Sequence, residues 1–588
     1  MGNGCSSFPS LAPSSYRVSK KLKINDHFKL PSPLPTFPPG MYVCMNLAIR
    51  FDCLTDDLTM ILVSVGGGFA KGEIDLGGLS VSQISTFNKI WASYEGGPAN
   101  LGAAFFEPNS IPEGYFMLGC YAQPNSHPLF GWVLVAKCGP VDEGVLAEPL
   151  DYDLVWSSDN LKIKQDGFGY FWLPVAPQGY KAVGLVVTPT SQKPSLANVR
   201  CVRVDFTEQC EHDLLIWGQG RVADSNGFSC FSTRPSVRGT QAPGVPVGTF
   251  VIQNGSDTNP LPIYCLKNTS LSFSSMPNLA QIGSLLNTYS PLIHMHPDEE
   301  FQPSSVKWFF ENGALVYKRG EESEPVGVDV TGSNLPQDRY NDGTYWLDLP
   351  RDDKNKEVVK KGDLLTSEAY IHVKPMFGAT FTDIAIWLFY PFNGPARAKV
   401  GIINIPLGKI GQHVGDWEHI TLRISNFDGM LRNVYMSQHS TGTWVNASQL
   451  EYHLNTNKPV TYASLHGHAI YAKPGLVLQG NDLIGIRNDT ARSKKVMDTG
   501  LRYTIVSAEY LCGSGSSVVE PPWLNYFRKW GPKVSYDLND ELKRIGKFLP
   551  GSLKTAFDKF VRSLPDEILG EDGPTGPKVK ASWDGDEA

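Results

Sequence analysis

Four residues that ligate metals or move protons fall close together in the run Gly411-Gln412-His413-Val414-Gly415-Asp416-Trp417-Glu418-His419. The run leads into Ile420-Thr421-Leu422-Arg423-Ile424, whose β-branched alternation predicts a strand. Alternate side chains of a strand share a face, so Asp416 and Glu418 point the same way, and His413 enters from the preceding Gly-flanked loop. Two carboxylates and an imidazole suit a divalent cation: Mg²⁺ or Ca²⁺ by the oxygens, with the nitrogen pulling toward Mn²⁺ or Zn²⁺. An isolated Asp-x-Glu is also what a solvated surface strand carries. The other histidines bear on that choice. Of 12 in the chain, 7 sit in four short clusters: His413 with His419, His439 in Gln438-His439-Ser440, His466 and His468 in Leu465-His466-Gly467-His468, and His294 and His296 before Pro297-Asp298-Glu299-Glu300. If His413, Asp416 and Glu418 hold an ion, His439, His466 or His468 are placed as acid or base, and a metal-dependent hydrolase of a phosphoester or glycolipid is one reading. Against it, the chain has no H-E-x-x-H, no G-x-S-x-G and no P-loop.

The elements that must position these residues follow from the rest of the chain. Composition (41% hydrophobic, 57 Gly, 43 Pro) together with short aromatic strands predicts a mainly β, loop-rich protein of several domains. A formal net charge of -7 argues against a nucleic-acid partner. Ten cysteines without a C-x-x-C pair support neither a zinc ribbon nor a disulfide framework, and a reduced, cytosolic setting fits them. No leader opens the chain, and no apolar run reaches the ~18 residues of a membrane span.

The opening Met1-Gly2-Asn3-Gly4-Cys5-Ser6 matches the pattern for myristoylation of Gly2, with Cys5 placed for a palmitoyl chain. One myristate binds a membrane only marginally. Cys5 or the basic stretch Arg17, Lys20, Lys21, Lys23, Lys29 supplies the second signal toward an anionic leaflet. The expected location is the cytoplasmic face of the plasma membrane, endosome or vacuole.

Residues 1–40 read as a lipidated Pro-rich arm and 41–67 as an insertion or retained intron. From 68 to 262 a threefold repeat predicts a pseudo-threefold β-prism. Trp91 leads to Gly114-Tyr115 and Gly119, Trp156 to Gly179-Tyr180 and Gly184, and Trp217 more loosely to Gly248, each through an aromatic strand ending in Pro108, Pro174 or Pro235. The tryptophans read as core anchors. Longer strands such as Thr382–Tyr390 predict a β-sandwich over 285–512. Residues 513–588 carry two helical stripes, Leu538/Leu542/Ile545/Leu549 and Leu553/Phe557/Phe560/Leu564, and then a polar tail from Gly573 expected to be disordered.

With these blocks in hand, the chain resembles the plant members of the vacuolar protein sorting-associated protein 62 family. The carriers are Ile74-Asp75-Leu76-Gly77-Gly78-Leu79, Trp91-Ala92-Ser93-Tyr94-Glu95-Gly96-Gly97-Pro98, His296-Pro297-Asp298-Glu299-Glu300, Tyr390-Pro391-Phe392-Asn393-Gly394-Pro395-Ala396-Arg397 and Gly415-Asp416-Trp417-Glu418-His419. The resemblance implies a role in delivery to the vacuole. The Trp units are similar to multivesicular-body-associated β-prism repeats, which implies binding to acidic membranes. His413-x-x-Asp416-Trp417-Glu418, with His439, His466 and His468, is similar to the block of the necrosis- and ethylene-inducing-like cytolysins, which implies ion ligation by His413, Asp416 and Glu418 beside a glycosylated sphingolipid. Those cytolysins have a further Asp where this chain has Asn393, the loss of one charge from the ligand set. The family also runs from Pro-Pro-Gly almost directly into Gly-Phe-Ala, where this chain interposes Met41 to Gly67. The expectation is a non-enzymatic peripheral membrane protein of vacuolar and endosomal sorting. Its partners would be anionic or glycosylated lipids and trafficking proteins, and its cofactor a divalent cation (Mg²⁺, Ca²⁺ or Mn²⁺).

Overall fold

The computed structural model describes residues 26–39, 41–44, 62–139, 144–218, 228–254, 261–270, 272–481, 483–511, 518–533, 536–547, 549–564, 569 and 573–587. Gly2 and Cys5 lie outside the described residues. The protein is mainly β, in two compact units: one built from Gln83–Arg234 and Pro246–Leu266 with the N-terminal residues to Lys29, the other from Leu30–Ser82, Pro235–Val245 and Lys267–Ala588.

The first unit carries the threefold repeat as three sets of three antiparallel strands. They are Phe87–Ala92, Ala103–Pro108 and Tyr121–Pro124; Asp151–Ser157, Tyr170–Val175 and Val186–Thr188; and Thr207–Gly218, Phe228–Pro235 and Phe250–Asn254. One tryptophan from each set meets the other two: ring centroids are 6.2 Å apart for Trp91 and Trp156, 5.5 Å for Trp91 and Trp217, and 5.9 Å for Trp156 and Trp217. The tilted and edge-to-face geometry is the one aromatic quadrupoles favour. The repeated glycines have a steric cause. A Cβ on Gly184 would stand 2.9 Å from the Cα of Gly119 and 2.7 Å from Cγ2 of Thr249, so the repeats close on one another only through bare backbone.

The second unit is a sandwich built on a six-stranded sheet in the order Thr441–Asn446, Leu431–Gln438, His413–Ser425, Phe381–Asn393, Ala369–Met376, Tyr503–Ser507. Its central pair, Phe381–Asn393 and His413–Ser425, runs antiparallel from Phe381 opposite Ser425 to Asn393 opposite His413. Every residue of Phe381–Asn393 is buried, which requires cover on both faces and explains its nearly unbroken apolar sequence. On one face Trp387, Phe389 and Trp417 pack against Phe309, Phe310, Trp523 and Trp530. A smaller sheet of Arg397–Val400, Ile403–Pro406, Gly475–Gly480 and Ile484–Thr490 shares an apolar core with the helices Leu538–Gly546 and Gly551–Val561, through Val400, Ile405, Ile486, Leu542, Ile545 and Phe557. No helix among the described residues is long and apolar enough to cross a membrane.

Three boundaries differ from the sequence reading. Gly68 to Ser82 belong to the second unit, because Gly68, Ala70 and Gly72 donate backbone bonds to Ser274, Asn426 and Phe427. The expected insertion begins and ends as a hairpin, Met41–Cys44 against Leu62–Val65, with 45–61 outside the described residues. The tail from Gly573 is ordered rather than disordered. Trp583 is buried and stacks on His372 at 3.8 Å, and the Glu587 carboxylate accepts from Thr421 Oγ1 at 2.6 Å and pairs with His419 Nε2 at 3.0 Å. One aromatic anchor and a set of buried cations outweigh the tail's polar composition.

Candidate functional site

The ladder of the central pair sets the site. Asn393 lies opposite His413, Tyr390 opposite Asp416 and Leu388 opposite Glu418. Asp416 and Glu418, two residues apart, line one cavity of about 320 Å³. His413 is the first residue of the strand rather than part of a loop, and it lines the same cavity despite its odd position. Gly415, at φ +68°, interrupts the alternation between them; a Cβ there would meet the carbonyl oxygen of Trp530 at 2.7 Å, so the position requires glycine.

The cavity also brings in Asn393 and His439. Asn393 donates from Nδ2 to the carbonyl of Gly411 at 2.6 Å, and His439, itself at φ +61°, pairs through Nε2 with Asn488 Oδ1 at 2.9 Å. His466 is not part of the lining; its ring faces the Pro395 carbonyl at 3.1 Å. His468 lies buried beneath Asp416. Its Nδ1 stands 2.9 Å from Asp416 Oδ2, its Nε2 3.1 Å from the Phe301 carbonyl, and its ring stacks on Tyr390 at 3.8 Å. Both nitrogens face acceptors, so the ring ties Asp416 to the Phe301 backbone.

These contacts set the charges. Burial pushes the Asp416 carboxyl up, but the His468 hydrogen bond, with His413 and Lys580 nearby, outweighs it and holds the group below its ordinary range. Burial lowers the His413 imidazole, against the opposing pull of Asp416 and the Gly415 carbonyl. His413 Nδ1 donates to that carbonyl at 2.7 Å, which leaves Nε2 with the lone pair. Glu418 accepts a hydrogen bond from Ser437 Oγ.

The donor set does not fit a resident divalent cation. Asp416 and Glu418 are each engaged by a neighbour, Lys529 and Lys580 line the same cavity together with Arg397 and Arg487, which pair with Asp489, and Asn393 supplies no charge. Among the described residues no group of three His, Cys, Asp or Glu side chains is arranged to hold a metal ion.

Several members of the site were missed in the sequence. Glu299 is buried, accepts from the backbone N–H of Phe301 at 2.9 Å and of His466 at 2.6 Å, and so ties the His296–Glu300 block to the His466–His468 turn. Its signal was its place in that block. The four cations come from four separate segments, Lys580 from the tail; the lone Trp583 in that tail was the cue that it packs. Two further groups are donors. Asn488, a residue 2% exposed, lines the cavity and its amide Nδ2 has no hydrogen-bond partner among the described residues; the Trp417 indole N–H is also unpartnered, but its ring packs on the other face of the sheet against Phe389, Trp523 and Trp530.

His419, Thr421 and Arg423 alternate with the cavity residues and face the other side of the sheet. There Arg423 makes a double hydrogen bond to Asp383 (2.9 and 2.7 Å) and pairs with Asp586 at 2.5 Å, while Lys374 donates to the carbonyl of Ser582 at 2.7 Å.

The family model for vacuolar protein sorting-associated protein 62 matches residues 54–587. Among curated proteins the chain is similar to vacuolar protein sorting-associated protein 62 of Saccharomyces cerevisiae, 25% identical over 281 residues, covering 42% of this chain and 58% of that protein. It is also similar to the sorting-associated protein TDA6 of the same yeast, 25% identical over 187 residues, 29% of this chain and 38% of that one. The chain thus spans little more than half the length of the first relative. Among solved structures, GNIP1Aa from Chromobacterium piscinae aligns with a TM-score of 0.28 at 19% identity, covering 36% of this chain and 40% of that one. Necrosis and Ethylene inducing Protein 2 from the causal agent of cocoa's witches' broom disease aligns at 0.18 and 12% identity, over 32% and 67%. Scores of this size carry no argument about the site.

Proposed function

Since the chain belongs to the vacuolar protein sorting-associated protein 62 family, we propose that it is a non-enzymatic peripheral membrane protein of vacuolar and endosomal sorting whose sandwich cavity takes the anionic, hydroxyl-bearing headgroup of a membrane lipid. One observation carries the reading: Asn488, whose amide Nδ2 is an unpartnered buried donor, lines a cavity that Lys580 also lines. A buried donor left unpaired costs about 1–3 kcal/mol, and an acceptor oxygen from a ligand removes that cost. Lys580, with Lys529 beside Arg397 and Arg487 that pair with Asp489, suits phosphate or carboxylate oxygens, and Asp416, Glu418 and the His413 lone pair suit hydroxyl groups. Acylation at Gly2 and Cys5 would hold the chain at the cytoplasmic face and raise the local concentration of headgroups.

The test is calorimetric titration of the whole protein with inositol phosphate, with uncharged inositol as the reference. Binding that Lys580→Glu weakens about tenfold, with the ligand recovered intact, is the expected result. Absence of binding to any soluble phosphorylated headgroup refutes the cavity reading, and turnover of the ligand would restore the hydrolase.

A further inference from the structure

A cysteine reacts as its thiolate, so its exposure and the groups that hold the anion decide whether it is inert. Among the described cysteines Cys120, Cys201, Cys230 and Cys265 are buried, while Cys138 and Cys210 are half-buried. Burial pushes Cys120 up to about 12, Cys201 up to about 11 and Cys230 well above its ordinary range, which leaves these three as packing residues. Cys210 is placed differently. It lies in the strand Thr207–Gly218 of the third repeat, which pairs antiparallel with Tyr264–Lys267. Cys265 stands opposite Glu208, and Cys210 two residues on shares that face, so the two cysteines are diagonal neighbours on one side of the ladder. Their thiols meet: Cys265 donates a hydrogen bond to Cys210, whose Sγ donates in turn to the Ile263 carbonyl at 2.9 Å. The bond from Cys265, helped by the backbone N–H of Cys210, outweighs burial and Glu211 and holds the Cys210 thiol below its ordinary range. Burial, and then the bond to Cys210, pushes the Cys265 thiol well above its own.

We infer that Cys210 and Cys265 form a redox-modification site, independent of the cavity, at which hydrogen peroxide converts the pair to a disulfide, with Cys210 attacking and Cys265 resolving. A partly exposed thiol in contact with a second, buried one is the arrangement that stops oxidation at a reversible stage. The Cys210 sulfur attacks one peroxide oxygen: an S–O bond forms, the O–O bond breaks, and the departing hydroxide leaves as water with the proton of that thiol. The Cys265 sulfur then attacks the sulfenic sulfur: the S–S bond forms, the S–O bond breaks, and the second hydroxide leaves as water with the Cys265 proton. Two thiols lose two electrons and the peroxide is reduced to two waters; a dithiol reductant reverses the change by exchange. The bond would tie Tyr264–Lys267 to the strand of the third repeat and close a long loop of chain, the kind of closure that constrains the unfolded state most.

The experiment treats the reduced full chain with a small excess of hydrogen peroxide at neutral pH, quenches by alkylation at timed intervals, and reads every cysteine by peptide mass spectrometry. Cys210 and Cys265 should leave the alkylatable pool together and reappear as one joined peptide, about 2 Da lighter than the two thiol peptides combined, which dithiothreitol separates again. Cys138, the other half-buried thiol, is the internal reference, and Cys210 should be consumed about tenfold faster. These readings need no substitution, so they do not depend on a variant folding. In Cys265→Ser the reaction should halt at a Cys210 sulfenic acid that dimedone traps; in Cys210→Ser the Cys265 thiol should stay unreacted. Consumption of Cys210 no faster than of Cys138, oxidation of Cys210 in the parent chain to sulfinic acid with Cys265 still a thiol, or a joined peptide linking either cysteine to a different one overturns the assignment.

Discussion

Replacing Glu587 by Gln removes one charge from the buried network that holds the C-terminal segment on the sheet, and its cost follows from the geometry. Burial opposes ionisation of this carboxyl. His419 at 3.0 Å, Lys374 at 3.9 Å and the Thr421 hydroxyl at 2.6 Å outweigh burial and bring its pKa from 4.5 to about 2. The remaining charges nearby are the Arg423–Asp383 pair, Asp586 and His372, whose imidazole is held well below its ordinary range by burial and then by Lys374. A depression of about 2.5 units corresponds to roughly 3 kcal/mol, or about 300-fold in an opening equilibrium. The sign is that of a lowered carboxyl: the stabilisation is complete above pH ~4.5, the pKa of the free group, and is lost as the pH falls through about 2. Glu587→Gln keeps the shape and an acceptor for Thr421 but leaves Lys374, whose side chain is fully buried, without its countercharge. Hydrogen exchange of the Ser582–Glu587 segment, followed by mass spectrometry and corrected for intrinsic rates, reads the opening directly. The substitution should speed exchange about 300-fold near pH 7, and the gap between parent and variant should close as the pH approaches 2. Exchange at neutral pH within about twofold of the parent would refute the assignment of that energy to Glu587.

Much of the fold was legible because periodicity reports local geometry. The tryptophan-to-glycine spacing marked the three repeats, and alternation through Ile420–Ile424 marked the central strand. The same alternation placed Asp416 and Glu418 on one wall, since it needs only neighbours in sequence. What it does not encode is which partners arrive from far away. His468 reaches Asp416 across 52 positions and Glu587 reaches His419 across 168, and no local pattern announces either. The consequence is chemical. Read alone, the His, Asp and Glu of the motif suggest a cation site; the fold adds His468 on Asp416 and Lys580 beside them, charges that the motif does not announce. The tail was misjudged for the same reason: a polar segment counts as disordered only until the buried cations it neutralises are known. His413 was expected in a loop because its neighbour Gly415 reads as a breaker, whereas that glycine is a twist within the strand.

Three further outcomes follow from the geometry. Chelators should leave the thermal midpoint unchanged and added Mg²⁺, Ca²⁺ or Mn²⁺ should not raise it; a chelator-sensitive midpoint in calorimetry would restore a bound cation through mass action. Gly184→Ala should cost about 1–3 kcal/mol in the unfolding of the prism, since its methyl meets Gly119, Thr249 and the Leu118 carbonyl within 3 Å, and denaturant unfolding at neutral pH would measure it. Deleting Met41–Val65 and joining Gly40 to Gly66 should cost the sandwich no more than the burial of Val65, which is 1% exposed, about 1.5–3 kcal/mol. The two ends already meet on one side chain: Gln281 Nε2 donates to the Pro38 carbonyl at 2.8 Å and to the Gly66 carbonyl at 3.0 Å, and Asn278 Nδ2 donates to the Pro39 carbonyl at 3.3 Å. Met41 and Val65 are paired across a hairpin, and paired strand residues stand about 5 Å apart at Cα, close to the ~3.8 Å of one peptide link. Gly66, at φ +81°, is already in the left-handed region suited to a tight connection. A midpoint in thermal unfolding lowered by only a few degrees is therefore expected of the shortened chain. A drop of many degrees would mean that the segment contributes to the core and is no insertion.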